Sequence, residues 1–114
     1  MIPFKNRFHG HGSLRFVYQN GEAVRSRLVT IKYIKNPHRK NSRIAIVISK
    51  KILKSAVGRN LIRRRLYELI RLKLADMKDI YDIAVIVTSS EFQTMAHIDI
   101  ESELSKLFQD AKIV

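Results

Sequence analysis

Hydrophobic and polar positions along the chain repeat with two different periods. Residues 28–34 alternate: Val29, Ile31 and Tyr33 fall on one side, while Thr30 and Lys32 share the other with Leu28 and Ile34. This alternation predicts a strand with one face against a core. Ile44, Ala45, Ile46, Val47 and Ile48 are all apolar, as are Ile83, Ala84, Val85, Ile86 and Val87. Both runs predict strands covered above and below. Residues 55–74 follow the helical period instead. Ile62, Leu66, Leu69 and Ile70, widened by Leu61 and Leu72, form one stripe, and Asn60, Arg63, Arg64, Tyr67 and Arg71 gather opposite it. The result is an amphipathic helix with one side for the core and the other for binding.

Two shorter helices complete the pattern. Over residues 13–21, Ser13 stands at the N-cap position, Leu14, Val17 and Tyr18 share a face, and Gly21 supplies a left-handed stop. Over residues 100–111, Leu104, Leu107, Phe108 and Ala111 have core spacing, with acidic residues near the start where the helix dipole favours them. The segment 35–42 is polar and basic, and Pro37 forbids regular pairing within it. Buried strand, amphipathic helix and buried strand in succession describe a βαβ unit, so the two buried strands should run parallel in one mixed sheet. The 114 residues suit one domain, 1–114, with residues 1–12 as a flexible, basic, glycine-punctuated tail.

Charge narrows the choice of partner. A net charge of +12 with 46% hydrophobic residues describes a globular domain built for a polyanion. Residues 1–74 hold 19 Lys/Arg against Glu22 and Glu68, a net of +17, and residues 75–114 hold three lysines against eight acids, a net of −5. The binding surface therefore belongs to the first two thirds. There is no cysteine, which removes disulfides and thiolate metal sites. No run approaches the ~18 apolar residues of a membrane span, and no signal peptide is apparent, so a cytoplasmic location is expected. His9 and His11 lack a third ligand nearby in sequence, so no metal site is expected. Glu68 is read as pairing with a neighbouring arginine, and Asp76, Asp79 and Asp82 as solvating a strand entry. No nucleophile–base set or paired-acid constellation stands out.

The densest chemistry lies at residues 49–71. Lys50 and Lys51 end a strand, and Lys54 precedes a helix start whose free N–H groups already favour phosphate. Arg59, Asn60, Arg63, Arg64 and Arg71 extend the surface, the guanidinium groups being planar forks suited to phosphate. A solvated charged face is the bland alternative, but only Glu68 opposes the set.

This stretch resembles the signature of the bacterial ribonuclease P protein family: a Lys-Lys pair ending a strand, then Ala-x-x-Arg-Asn-Arg-x-Lys-Arg-x-x-Arg-Glu on a helix. Lys50 and Lys51 match the pair, and Ala56, Arg59, Asn60, Arg63, Arg64 and Glu68 match the helix, with Arg63 in place of Lys. Leu61 and Tyr67 depart from it at positions that are usually basic, and neither is read as a phosphate ligand. The order of elements along nearly the whole chain, ending in Leu104-x-x-Leu107-Phe108, is also similar to that family.

The resemblance implies an α+β fold, a two-layer α/β sandwich with a mixed sheet of about four strands and three helices. It would be similar to the second domain of a small-subunit ribosomal protein, with a left-handed βαβ crossover against the usual right-handed rule. It also implies a subunit of an endoribonuclease in which a catalytic RNA, not this chain, hydrolyses the phosphodiester and removes the 5′ leader of precursor tRNA. The protein would hold no cofactor of its own, Mg²⁺ serving the RNA, and would be a monomer in a 1:1 ribonucleoprotein. The signature residues would contact the catalytic RNA, and a cleft beside the first helix would hold the single-stranded leader. Arg15, Phe16, Tyr18 and, more weakly, Tyr33 are the cleft candidates, since single-stranded RNA is gripped by basic tracks with aromatic platforms. Tyr18 matches an aromatic position of that cleft, and Leu14 occupies a neighbouring one. A core role for Phe16 or Tyr18 is the alternative. A structural RNA-binding protein of ribosomal type is the runner-up function. Non-specific DNA binding ranks last, because the basic helix has no preceding helix-turn-helix partner, and no membrane partner is expected.

Overall fold

The computed structural model describes residues 3–8 and 11–114. Its elements are helix α1 (His11–Asn20), strands β1 (Glu22–Arg25), β2 (Val29–Lys35) and β3 (Arg43–Ile48), helix α2 (Ala56–Lys73), strand β4 (Tyr81–Val87) and helix α3 (His97–Asp110). Short 3-10 turns lie at Phe4–Asn6, Leu74–Asp76 and Ser90–Gln93. The sheet order is β1-β2-β4-β3, with β1–β2 and β2–β4 antiparallel and β3–β4 parallel. This is the α+β architecture of the sequence reading, and the parallel pair is the one joined through α2.

Strand alternation gives the sheet two chemically different faces. Val29, Ile31, Ile44, Ile46, Ile48, Ile83, Val85 and Val87 join Ile62, Leu66 and Ile70 of α2 and Ile100, Leu104 and Phe108 of α3 in the main core. Each fully buried aliphatic side chain there contributes roughly 1.5–3 kcal/mol relative to exposure, enough to seat α2 although it carries five arginines. On the other face lie Lys32, Arg43, Asp82 and Ala84, and α1 crosses them. Val17 is fully buried, Lys32 Nζ donates to the Tyr18 carbonyl at 3.1 Å, and Arg43 Nη1 donates to Ser13 Oγ at 3.3 Å.

α2 begins where its cap says it should, since Ser55 Oγ accepts from the Gly58 N–H at 3.1 Å. Its buried arc is rotated from the expected one. Leu61 and Leu72 are 37% and 62% exposed, while Tyr67, expected on the open side, is buried. Pro3, Lys5, Asn6 and Arg7, in the stretch read as a basic tail, line hollows shared with Tyr67. Asn6 is itself buried, its Nδ2 donating to the Ser42 carbonyl at 2.6 Å.

Other local readings are also corrected. α1 starts before Ser13, so Ser13 lies in its first turn and serves as an acceptor for Arg43 rather than as the N-cap. Gly21 ends α1 without left-handed geometry; a Cβ there would come within 2.6 Å of the Val17 carbonyl oxygen and 2.9 Å of the Tyr33 carbonyl oxygen. β4 is central and covered on both sides, but β3 is an edge strand, and Ala45 and Val47 stay half-exposed. Asp82 does not solvate a strand entry: it is buried against Arg43.

Candidate nucleic-acid interface

The turn after β3 folds tightly on itself, the Ile52 N–H donating to the Ser49 carbonyl at 3.1 Å and the Leu53 N–H to the same oxygen at 3.3 Å. Ile52 and Leu53 pack against the core, which turns Lys50 and Lys51 outward, with Lys54 exposed just beyond. Arg59 fastens this turn to the helix. Its Nη1 donates to the Leu53 and Lys54 carbonyls, both at 2.8 Å, so part of its fork holds the lysines in place rather than facing a ligand. Leu53 Cδ2 would lie 2.7 Å from a Cβ at position 58, so Gly58 lets the turn close against the helix.

Farther along α2, side chains at helical spacing gather on one flank. Arg63 Nη1 donates to Asn60 Oδ1 at 3.0 Å, which orients both groups. Arg64 is exposed and makes no hydrogen bond or ion pair with the described residues. Asn60, Arg63 and Arg64 line a cleft of about 510 Å³ together with Arg7, Ile46, Tyr67 and Glu68. Arg71 borders the next hollow beside Lys5 and Lys40, and its Nη2 pairs with Glu68 Oε2 at 3.1 Å. Both partners are about half exposed, so that pair contributes at most ~1 kcal/mol and leaves Arg71 able to exchange it for a phosphate.

Two basic residues fall outside the sequence reading of the site. Arg7 lines the cleft, and nothing in its local sequence signals that. Arg65, inside the signature stretch, turns away and donates from Nη1 to the Phe92 carbonyl at 2.8 Å and from Nη2 to the Met95 carbonyl, tying α2 to the segment before α3.

The proposed leader-cleft residues divide. Arg15 and Phe16 are on the outer side of α1, and Phe16 is 55% exposed. Residues two positions apart on a helix stand about 200° apart, so Phe16 and Tyr18 do not form one platform. Tyr18 is half-buried with Lys32 Nζ 5.7 Å from its ring centre, and burial raises its phenol pKa. Tyr33 belongs to the opposite face of β2. It donates to Glu22 Oε2 at 3.0 Å and meets the Tyr81 ring edge-on at 6.2 Å, so strand alternation separates it from Tyr18. The α1 side instead offers a row that the sequence reading missed, Thr30, Ile86 and Val47, adjacent in register and each half-buried.

His9 lies outside the described residues, as does the side chain of His11. Among the described residues no three His, Cys, Asp or Glu are grouped to hold a metal ion, and no helix is long and apolar enough to cross a membrane.

Residues 2–112 match the family model described as Ribonuclease P. The ribonuclease P protein component of Clostridium botulinum (strain Loch Maree) is 36% identical over 110 residues, covering 96% of each chain. That of Pseudanabaena sp. is 35% identical over 89 residues, covering 78% of this chain and 77% of the relative. Among solved structures, the Staphylococcus aureus RNase P protein is similar with a TM-score of 0.83 and 25% identity, over 95% of this chain and 96% of that one. The Thermotoga maritima RNase P protein, at 22% identity, has the same fold, with a TM-score of 0.80 over 91% of this chain and 96% of that one.

Proposed function

The chain belongs to the ribonuclease P protein family, and on that premise we propose that it grips the catalytic RNA and the 5′ leader of precursor tRNA, assisting endonucleolytic removal of the leader. The observation that carries this reading is the α2 flank, where Asn60, Arg63 and Arg64 converge on one cleft. Lys50, Lys51 and Lys54 extend the positive surface at the strand end. Phosphate oxygens are the complementary partners for such a surface, which supplies affinity and register without reading sequence.

Arg71 joins the same surface by giving up its exposed pair with Glu68, and Arg59 acts mainly by holding the lysine turn. The leader runs over the α1 side of the sheet, where Tyr18 supplies aromatic surface and the Thr30, Ile86, Val47 row forms the floor, while Arg15 and Phe16 meet the RNA from the outer side of α1. Bond cleavage belongs to the RNA and its Mg²⁺, and this chain contributes binding and position. A monomer in a 1:1 ribonucleoprotein in the cytoplasm is the assembly in view.

The test is reconstitution with the cognate catalytic RNA. At low Mg²⁺ the protein should raise the rate of precursor-tRNA cleavage at the 5′ junction. A protein that shifts the RNA in a gel yet leaves cleavage unchanged is a structural binder, and the proposal fails.

A further inference from the structure

Phosphate recognition uses the rim of the cleft beside α2 but not its floor. The floor is formed by Ile46 at the β3 edge and by Tyr67, both buried, while Arg7, Asn60, Arg63, Arg64 and Glu68 stand around it. An aliphatic and aromatic surface does nothing for an anion. A cationic rim over an apolar, aromatic floor is instead the combination that holds single-stranded nucleic acid, with phosphate on the rim and a base on the floor.

Two further observations point to a base. The Tyr67 hydroxyl is the one buried side-chain polar atom without a hydrogen bond among the described residues, whereas buried Tyr hydroxyls ordinarily have a partner. Burial raises the pKa of this phenol, so it remains a donor. At the mouth, Asn60 uses its oxygen on Arg63 and Glu68 uses Oε2 on Arg71, and among the described residues the Asn60 amide N–H groups and Glu68 Oε1 have no further partner. One donor and one acceptor at the lip suit the edge of a base, which carries both kinds of group.

We propose that this cleft takes a single unstacked nucleobase of the RNA partner, seated on Ile46 and Tyr67, with its flanking phosphates on Arg63 and Arg64. The inference rests on the RNA-binding reading above and adds a site to it. Base capture adds a contact to the nucleobase itself, whereas phosphate contacts fix orientation and register but carry no sequence information.

The test compares wild type, Tyr67→Phe and Tyr67→Leu in equilibrium binding to the cognate catalytic RNA at several salt concentrations, with each variant checked by thermal melting. Tyr67→Phe keeps the ring and should bind within about threefold of wild type. Tyr67→Leu loses the aromatic surface and should bind roughly fivefold or more weakly, with its salt slope unchanged because no phosphate contact is removed. In parallel, ultraviolet irradiation of the wild-type complex, read by mass spectrometry, should yield a nucleotide adduct on Tyr67. Equal affinity of all three proteins, a flatter slope for Tyr67→Leu, or adducts confined to other residues would overturn the base site. Absence of salt-dependent binding by the wild type would overturn the RNA-binding reading itself, so the two failures are separable.

Discussion

Arg43 and Asp82 face each other across the parallel β3–β4 pair and close a two-point contact, Nε to Oδ1 at 2.8 Å and Nη2 to Oδ2 at 2.6 Å. Both side chains are about 95% buried. Asn36 Nδ2 donates to the same carboxylate at 2.8 Å, Ser13 Oγ accepts from Arg43, and the Phe8 ring lies 4.7 Å from the guanidinium carbon. One ion pair thus joins the sheet to the 35–42 segment, to α1 and to residues 3–8. Removing one partner strands a buried charge, a loss of about 3–5 kcal/mol. Asp82→Ala should lower the unfolding free energy by that order in urea denaturation, and a loss below about 1 kcal/mol would show that the pair does not bear on stability.

Gly21 and Gly58 should respond differently to alanine. At Gly21 the added carbon meets backbone oxygens of α1 and β2, which cannot move independently. At Gly58 it meets the ends of the Leu53 and Gln93 side chains, and helix propensity returns up to ~1 kcal/mol. Gly21→Ala should therefore cost ~1–3 kcal/mol and Gly58→Ala clearly less. Thermal melts giving the reverse order would contradict this account of α1 termination.

Arg59 and Arg64 both belong to the signature but have different tasks. Arg59 holds two carbonyls of the lysine turn, whereas Arg64 bonds none of the described residues. Arg59→Ala should lower the melting temperature by a few degrees, consistent with ~1–3 kcal/mol for charge-assisted hydrogen bonds. Arg64→Ala should leave it unchanged. Equal melting temperatures would mean that the Arg59 contacts are not maintained in solution.

Much of this was legible locally. Period and capping defined α2, and uninterrupted apolar runs defined β3 and β4, because core burial leaves its period in the sequence. Features set by distant partners were not legible. Asp82 reads as a solvating acid until Arg43, 39 positions away, is placed beside it. Tyr67 reads as exposed, yet it is buried beside hollows that Pro3, Lys5, Asn6 and Arg7 also line. β1 escaped notice because Glu22–Arg25 buries no side chain fully and is held by pairing with β2. Tyr33 lies away from α1, because alternation sets it on the same face as Val29 and Ile31. At the site, the Arg and Lys identities were readable, but Arg65 turning toward the Phe92 segment and Arg7 entering the cleft depend on tertiary packing alone.

Free protein with this charge should gain stability from anions that bind the folded state. Added sulfate should raise the melting temperature of the wild type more than that of the Arg63→Ala/Arg64→Ala double variant. Identical responses would place the anion-binding surface elsewhere.

The α2 flank as a phosphate grip is tested most directly by the salt dependence of binding to the cognate catalytic RNA. Relative to wild type, the Arg63→Ala/Arg64→Ala variant should show a log–log slope shallower by about 1.4–1.8, two phosphates at ~0.7–0.9 each, while a Lys78→Ala/Lys106→Ala/Lys112→Ala variant keeps the wild-type slope. Unchanged slopes for the arginine variant, or equal flattening in both variants, would contradict the assignment.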